Sequence, residues 1–297
     1  MSLCREARQE IVVTMRRTST VAVLVSFGAA LTLALLLPAP QAQAQDNRNR
    51  SPYLAQEGLE LTLSGGLILG SALLPKIFKD EAFAEPPCEA CDALQINAMD
   101  RPVTGYYSGG AKVLSDITVS TLILAPYALS IADVAVDDNA SGFLKDAAVL
   151  SQTLGVNLFL MQMVKFSVRR PRPFTYNPEA PLEAKLEQDS SLSFFSGHSS
   201  TAFSMAVAYA ITYQERHPND PMRFVVWGSG LGLAATTAGL RVAAGKHFWS
   251  DVLVGSLVGT AIGIVVPALH MRPDSGRNNA VEQRSSGAMP IMFSGAF

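Results

Sequence analysis

The sequence predicts an all-α domain, a membrane-associated bundle of about six helices. Three observations predict it. Of 297 residues, 48% are apolar and only 16% are charged, where a soluble domain carries about a quarter. The apolar residues fall in long runs rich in Ala, Leu, Val and Gly, of helix rather than strand length. No alternating strand pattern and no internal repeat competes with that reading. The formal net charge of −2 gives no footprint for a nucleic-acid partner.

The chain opens on a targeting segment. Arg16 and Arg17 precede an apolar run over residues 21–37, and Ala42-Gln43-Ala44 follows as an A-x-A cleavage signal. That is the layout of a secretory signal peptide, with Met15 as an alternative start. An uncleaved anchor is the other reading. Residues 1–44 are expected to be a leader that is removed, and residue 46 is expected outside the cytoplasm. A polar linker follows at 45–57, then a helical domain at 58–271 and a flexible polar tail at 272–297. Cys4 lies in the leader. Cys88 and Cys91 form a lone C-x-x-C in a Pro-rich loop, half a zinc site at most. A local disulfide and a pair of free thiols both fit it.

Within the domain the expected helices are 58–77, 113–136, 143–168, 199–214, 223–243 and 250–270. Breakers between the first and second, Pro86-Pro87 and Gly109-Gly110, argue for a long loop. The stretch 250–270 is long and apolar enough to cross a bilayer. The segment 143–168 carries Gln152, Asn157 and Gln162, and 113–136 carries Asp116 and Asp133. Bilayer spans and buried helices of a soluble bundle are both open on hydropathy alone.

Three polar clusters sit at the ends of the last four helices. In the first, Lys165, Arg169 and Arg172 are spaced for one helical face, and Pro171 and Pro173 stop the helix there. Such a cluster is either a fan of anion-binding cations or the basic flank of a membrane span. In the second, Phe194-Phe195-Ser196-Gly197-His198-Ser199 opens a helix. Ser196 or Ser199 can cap it, Gly197 leaves room for a ligand at the backbone, and free N–H groups favour an anion. His198 is placed to give a proton to a leaving oxygen. An ordinary Ser-capped helix is the alternative. In the third, Arg241 ends a helix, Gly245 stops it, and His247 and Asp251 are four apart. On a first helical turn a carboxylate there holds one ring nitrogen and frees the other. A surface His–Asp pair is the alternative.

In joint order and spacing, Lys-x6-Arg-Pro, Ser-Gly-His and Arg-x5-His-x3-Asp resemble the type 2 phosphatidic acid phosphatase family of the lipid phosphatase/vanadium haloperoxidase superfamily. The resemblance covers residues from about 113 to 270. It implies a phosphatase acting on a phosphate monoester or pyrophosphate through a phosphohistidine. His247 is then the nucleophile, Asp251 its orienting carboxylate and His198 the general acid. Lys165, Arg172, Ser196, Gly197 and Arg241 bind the phosphoryl oxygens. The family implies no metal ion and no cofactor. Two positions depart from its pattern: Phe195 stands where proline is common and Leu240 where serine is common. Phe195 is expected to reshape the loop or line a substrate entrance. Arg169 and Arg170 are left outside the phosphate shell, Lys246 either biases His247 or faces water, and His217 and His270 are expected in solvated loops. The expected substrate is a phosphorylated lipid, with a small phosphomonoester as the alternative. A vanadium-dependent haloperoxidase and a non-catalytic phospholipid-binding protein stay open. The expected location is a bacterial cell envelope, with the site facing the periplasm.

Overall fold

The computed structural model describes residues 52–77, 92–137 and 140–271. The expectations for the leader, for Cys4, Cys88 and Cys91, and for the tail at 272–297 lie outside the described residues. Six long helices carry the domain: α1 Glu57–Ile77, α2 Gly109–Asp137, α3 Ala140–Val168, α4 Gly197–Arg216, α5 Met222–Ala243 and α6 Trp249–His270. A further short α-helical turn covers Leu182–Leu186, and short 3-10 turns lie in the connections. Among the described residues there is no strand longer than the isolated bridge between Tyr53 and Met271.

The helix ends follow from local chemistry. α1 begins with Glu57 and Glu60 and has Lys76 in its last turn, charges that complement the helix dipole. Ser196 caps α4 by accepting the Ser199 N–H at 3.3 Å. Asp251, in the first turn of α6, accepts the Phe248 N–H at 2.9 Å. α5 ends two residues before Gly245, whose φ of +68° suits glycine, and a Cβ there would overlap the Tyr106 carbonyl. α3 ends the same way without a glycine: Arg169 adopts φ +50°, and its N–H reaches the Lys165 carbonyl at 2.9 Å.

α4 and α6 pack backbone to backbone. Gly255, Gly259 and Gly263 of α6 face the carbonyls of Ser196, Ser200 and Ser204 of α4. A Cβ at Gly255 or at Gly263 would stand 2.6 Å from its serine oxygen, and one at Gly259 would overlap Ser200. Small residues four apart on both helices allow this approach. Gly259→Val should therefore force the two helices apart and cost about 3 kcal/mol or more. Thermal unfolding in detergent measures the loss, and a change below about 0.5 kcal/mol would refute the packing argument.

The helices alternate in direction. α1 nevertheless lies parallel to α3: Glu57 pairs with Lys145 near their starts at 4.0 Å, and Leu74 packs with Phe159, Met163 and Phe166 near their ends. The far end of the bundle is tied by Arg216, which pairs with Asp133 at 2.6 Å and with Asp146. Tyr53 is fully buried at that end, with its hydroxyl 2.6 Å from Thr212 Oγ1, and the Leu54 N–H donates to the His270 carbonyl at 2.8 Å. The last residues of the expected linker are thus packed structure.

Four helical segments are long and apolar enough to cross a membrane: Glu57–Ile77, Gly109–Asp133, Gly142–Tyr176 and Trp249–His270. Their apolar side chains also face outward, with Leu69, Leu124 and Leu257 at least 60% exposed. Two of the polar residues that left the question open, Gln152 and Asn157, are buried, and Asn157 donates to Thr201 Oγ1 at 2.8 Å. The domain is a membrane-associated helical bundle. Tyr53 and Met271 lie at one end, and the end of α3 with the start of α4 at the other.

Candidate active site

Four helix ends bring the three clusters together: the last turn of α3, the first turn of α4, the end of α5 and the start of α6. Lys165, on the last turn of α3, is buried, with no ion pair among the described residues. Arg172 follows the break in α3, and its side chain is 3% exposed. Backbone holds it from several sides. Its N–H donates to the Ser190 carbonyl at 2.8 Å, Nε to the Asp189 carbonyl at 2.8 Å and Nη1 to the Lys246 carbonyl at 3.4 Å. Nη2 donates to Asp189 Oδ1 at 2.6 Å. Arg241 is buried at the end of α5, donates from Nη1 to Ser115 Oγ at 3.1 Å, and leaves its Nε without a hydrogen bond.

His198 lies on the first turn of α4, about a third exposed, with Nε2 2.8 Å from Asp116 Oδ1. The same Asp116 oxygen is 3.4 Å from Arg241 Nη1. Asp116, on α2, therefore joins the general-acid candidate to one of the phosphate cations. Sequence reading noted Asp116 only as a charge within an apolar run. Ser196 is buried, and its Oγ accepts from Ser199 N and Ser199 Oγ, so its cap role is filled. A Cβ at Gly197 would come within 3.1 Å of Met161 Sδ, so packing against α3 also favours a small residue there. Phe195 is 2% exposed and packs edge-on against Phe194. It lines no entrance.

His247 precedes α6 instead of lying on its first turn, because Phe248 is extended and the helix begins at Trp249. Its side chain is 1% exposed, and Nδ1 lies 3.7 Å from Asp251 Oδ2 with no hydrogen bond. The distance is too long for a hydrogen bond. Asp251 itself is pinned: it accepts from Ser193 Oγ at 2.5 Å, Phe248 N at 2.9 Å and Arg170 Nη1 at 2.6 Å. Arg170, left outside by sequence reading, is a central contact. It also donates to Asp100 Oδ2 at 2.8 Å and Ser250 Oγ at 2.7 Å, and lies 4.1 Å over the Phe248 ring. Arg169 turns away, with Nε on the Phe166 carbonyl at 3.0 Å.

Burial, then the charges of Arg172, Arg241 and Lys165, hold the His247 pKa well below the ordinary value of 6.5. The imidazole is thus an unprotonated base among cations. Lys246 does not face water. It lies 4.1 Å over the Phe174 ring, and burial and Arg172 lower its pKa to about 8. His217 follows α4 as expected but is paired, and His270 lies on α6 and not in a loop. His217 Nε2 is 2.9 Å from Asp133, and His270 closes α6 with Nδ1 2.8 Å from the Val266 carbonyl and Nε2 3.2 Å from Glu60.

The arrangement gathers three cations, a neutral imidazole and a second histidine bonded to a carboxylate at one end of an apolar bundle. Its chemistry suits a tetrahedral oxyanion. Comparison with known proteins finds partial likenesses. Residues 146–274 match the family model described as the PAP2 superfamily. Phospholipid phosphatase 1 of Rattus norvegicus is 40% identical over 78 residues, 25% of this chain and 28% of that one. A Drosophila melanogaster protein named for phosphatidate phosphatase is 38% identical over 86 residues, 28% of this chain and 23% of that one. The chain thus spans about a quarter of the length of these curated relatives. A solved transmembrane PAP2-type phosphatidylglycerolphosphate phosphatase from Bacillus subtilis covers 69% of this chain and 94% of its own at 21% identity, with a TM-score of 0.45.

Proposed function

We propose that the chain, whose residues 146–274 match the PAP2 superfamily model, is a phosphatase. It hydrolyses a phosphate monoester or pyrophosphate of a lipid, without a metal ion, through a phosphohistidine. The observation that carries this reading is the convergence of buried Lys165, Arg172 and Arg241 around an unprotonated His247. His247 attacks phosphorus through Nε2, since Nδ1 is the nitrogen beside Asp251. The bond from phosphorus to the leaving oxygen breaks, and His198 supplies that oxygen with a proton. Asp251 stabilises the charged ring. Water then attacks phosphorus, His198 accepts its proton, and phosphate leaves His247. The three cations match the phosphoryl charge in the transition state.

The outward-facing apolar side chains favour a lipid phosphate over a small soluble phosphomonoester. Release of phosphate in EDTA from phosphatidate, a polyprenyl pyrophosphate and p-nitrophenyl phosphate tests both points. Release should be metal-independent and fastest from a lipid. No release from any of the three would overturn the reading and bring bromination with vanadate to the test.

We propose that the site faces the outer side of the envelope membrane. Because α1 runs the length of α3, a crossing α1 sets residue 52 on the side opposite the site. An outward site and an exported residue 46 then exclude each other. In a cysteine-free background, Tyr106→Cys beside the site should react with a membrane-impermeant maleimide in intact cells, and Met222→Cys at the far end should not. The reverse pattern places the site inside.

A further inference from the structure

The phosphate cradle contains a carboxylate that the proposed mechanism does not use. Asp189 sits on a short 3-10 turn, Gln188–Ser191. Its backbone carbonyl and its Oδ1 both accept from Arg172, at 2.8 and 2.6 Å. The two partners are unequally held. The Arg172 side chain is 3% exposed and fixed by the Asp189 and Lys246 carbonyls, whereas the Asp189 side chain is 55% exposed. Its carboxylate can turn into water with Arg172 left in place.

A guanidinium has five N–H donors, and a phosphoryl oxygen is the same kind of acceptor for the Nη2 donor as the Asp189 carboxylate that now holds it. Burial alone would raise the Asp189 pKa. The charges of Arg172, Lys165, His247 and Lys246 instead hold it well below the carboxylate range, so it stays anionic inside the same cationic field.

We propose that Asp189 is an internal competitor for the phosphoryl group: it occupies Arg172 between turnovers, yields that donor to the substrate and regains it as product leaves. This rests on the phosphatase reading. Its consequence is weaker retention of inorganic phosphate, the product.

The test uses the full-length protein in detergent, as wild type, Asp189→Asn and Asp189→Ala, with thermal unfolding to confirm that each is folded. Inorganic phosphate is the probe, read as its inhibition constant against p-nitrophenyl phosphate and as its dissociation constant by calorimetry. Both constants should fall by about two- to fivefold in both variants, the scale of a half-exposed ion pair. Unchanged or weaker phosphate binding overturns the proposal and makes Asp189 a positioning residue for Arg172. If wild type binds phosphate but hydrolyses nothing, the phosphatase reading falls while the calorimetric comparison still decides on Asp189. If wild type binds no phosphate, both fall.

Discussion

His247→Ala should reduce phosphate release by about 10⁴-fold or more, because it removes the atom that bonds to phosphorus and no other group in the site replaces it. The loss should fall on kcat, since Lys165, Arg172 and Arg241 stay to bind the phosphate. The fold should survive, because His247 Nδ1 has no hydrogen bond to lose. His198→Ala is the useful contrast. It removes a proton donor only, a role worth about 10²–10⁴-fold, and a substrate with a good leaving group should rescue much of it. Initial rates with p-nitrophenyl phosphate and phosphatidate, set beside thermal unfolding, separate the two. A folded His247→Ala protein that keeps a tenth of the activity would sink the nucleophile assignment. The pH profile adds an independent check. Because the His247 pKa lies below its ordinary value, the free base persists on the acid side of 6.5. The limb of kcat/KM that reports loss of the nucleophile should therefore appear at a more acidic pH than an ordinary histidine gives.

The six helices were legible because each is a long apolar run closed by a local signal. The expected 223–243 became Met222–Ala243 and 250–270 became Trp249–His270. The largest boundary difference is at α2, expected from 113 and observed from Gly109, where Gly109-Gly110 had been read as loop. The three clusters were legible for the same reason: their members lie within a few positions of one another. Their partners do not. His198 meets Asp116 across 82 positions, and Arg170 meets Asp251 across 81 and Asp100 across 70. No local spacing marks such pairs. Asp189 is only 17 positions from Arg172, but a Gln-Asp-Ser-Ser turn reads as surface. Of the two readings of Lys246 only facing water fails, since the aromatic face of Phe174 that receives it is far off in sequence.

Arg170 is the residue whose removal should separate structure from chemistry most clearly. It stands between two carboxylates, Asp100 and Asp251, whose side chains are both fully buried. Removing the cation from a buried pair costs about 3–5 kcal/mol, because the remaining charge has no water to turn to. Arg170→Ala should therefore lower stability by about 3 kcal/mol or more, measured by denaturant unfolding in detergent. The loss should depend on pH in a defined sense. Burial raises the Asp100 pKa, but hydrogen bonds from Ser250, Arg170 and Asn97 bring it below the ordinary 3.8. A depressed carboxylate contributes stability that is present above its unfolded pKa and lost as pH falls through the folded one. Without Arg170 that contribution shrinks near neutrality, so the variant and wild type should converge in acid. Asp100→Asn on top of Arg170→Ala removes one stranded charge and should restore part of the stability. It should not restore turnover, because Asp251 would still lack the guanidinium that fixes it 3.7 Å from His247. Recovery of activity together with stability would make Arg170 a fold element alone. Recovery of stability without activity makes it a positioning residue for the nucleophile's carboxylate.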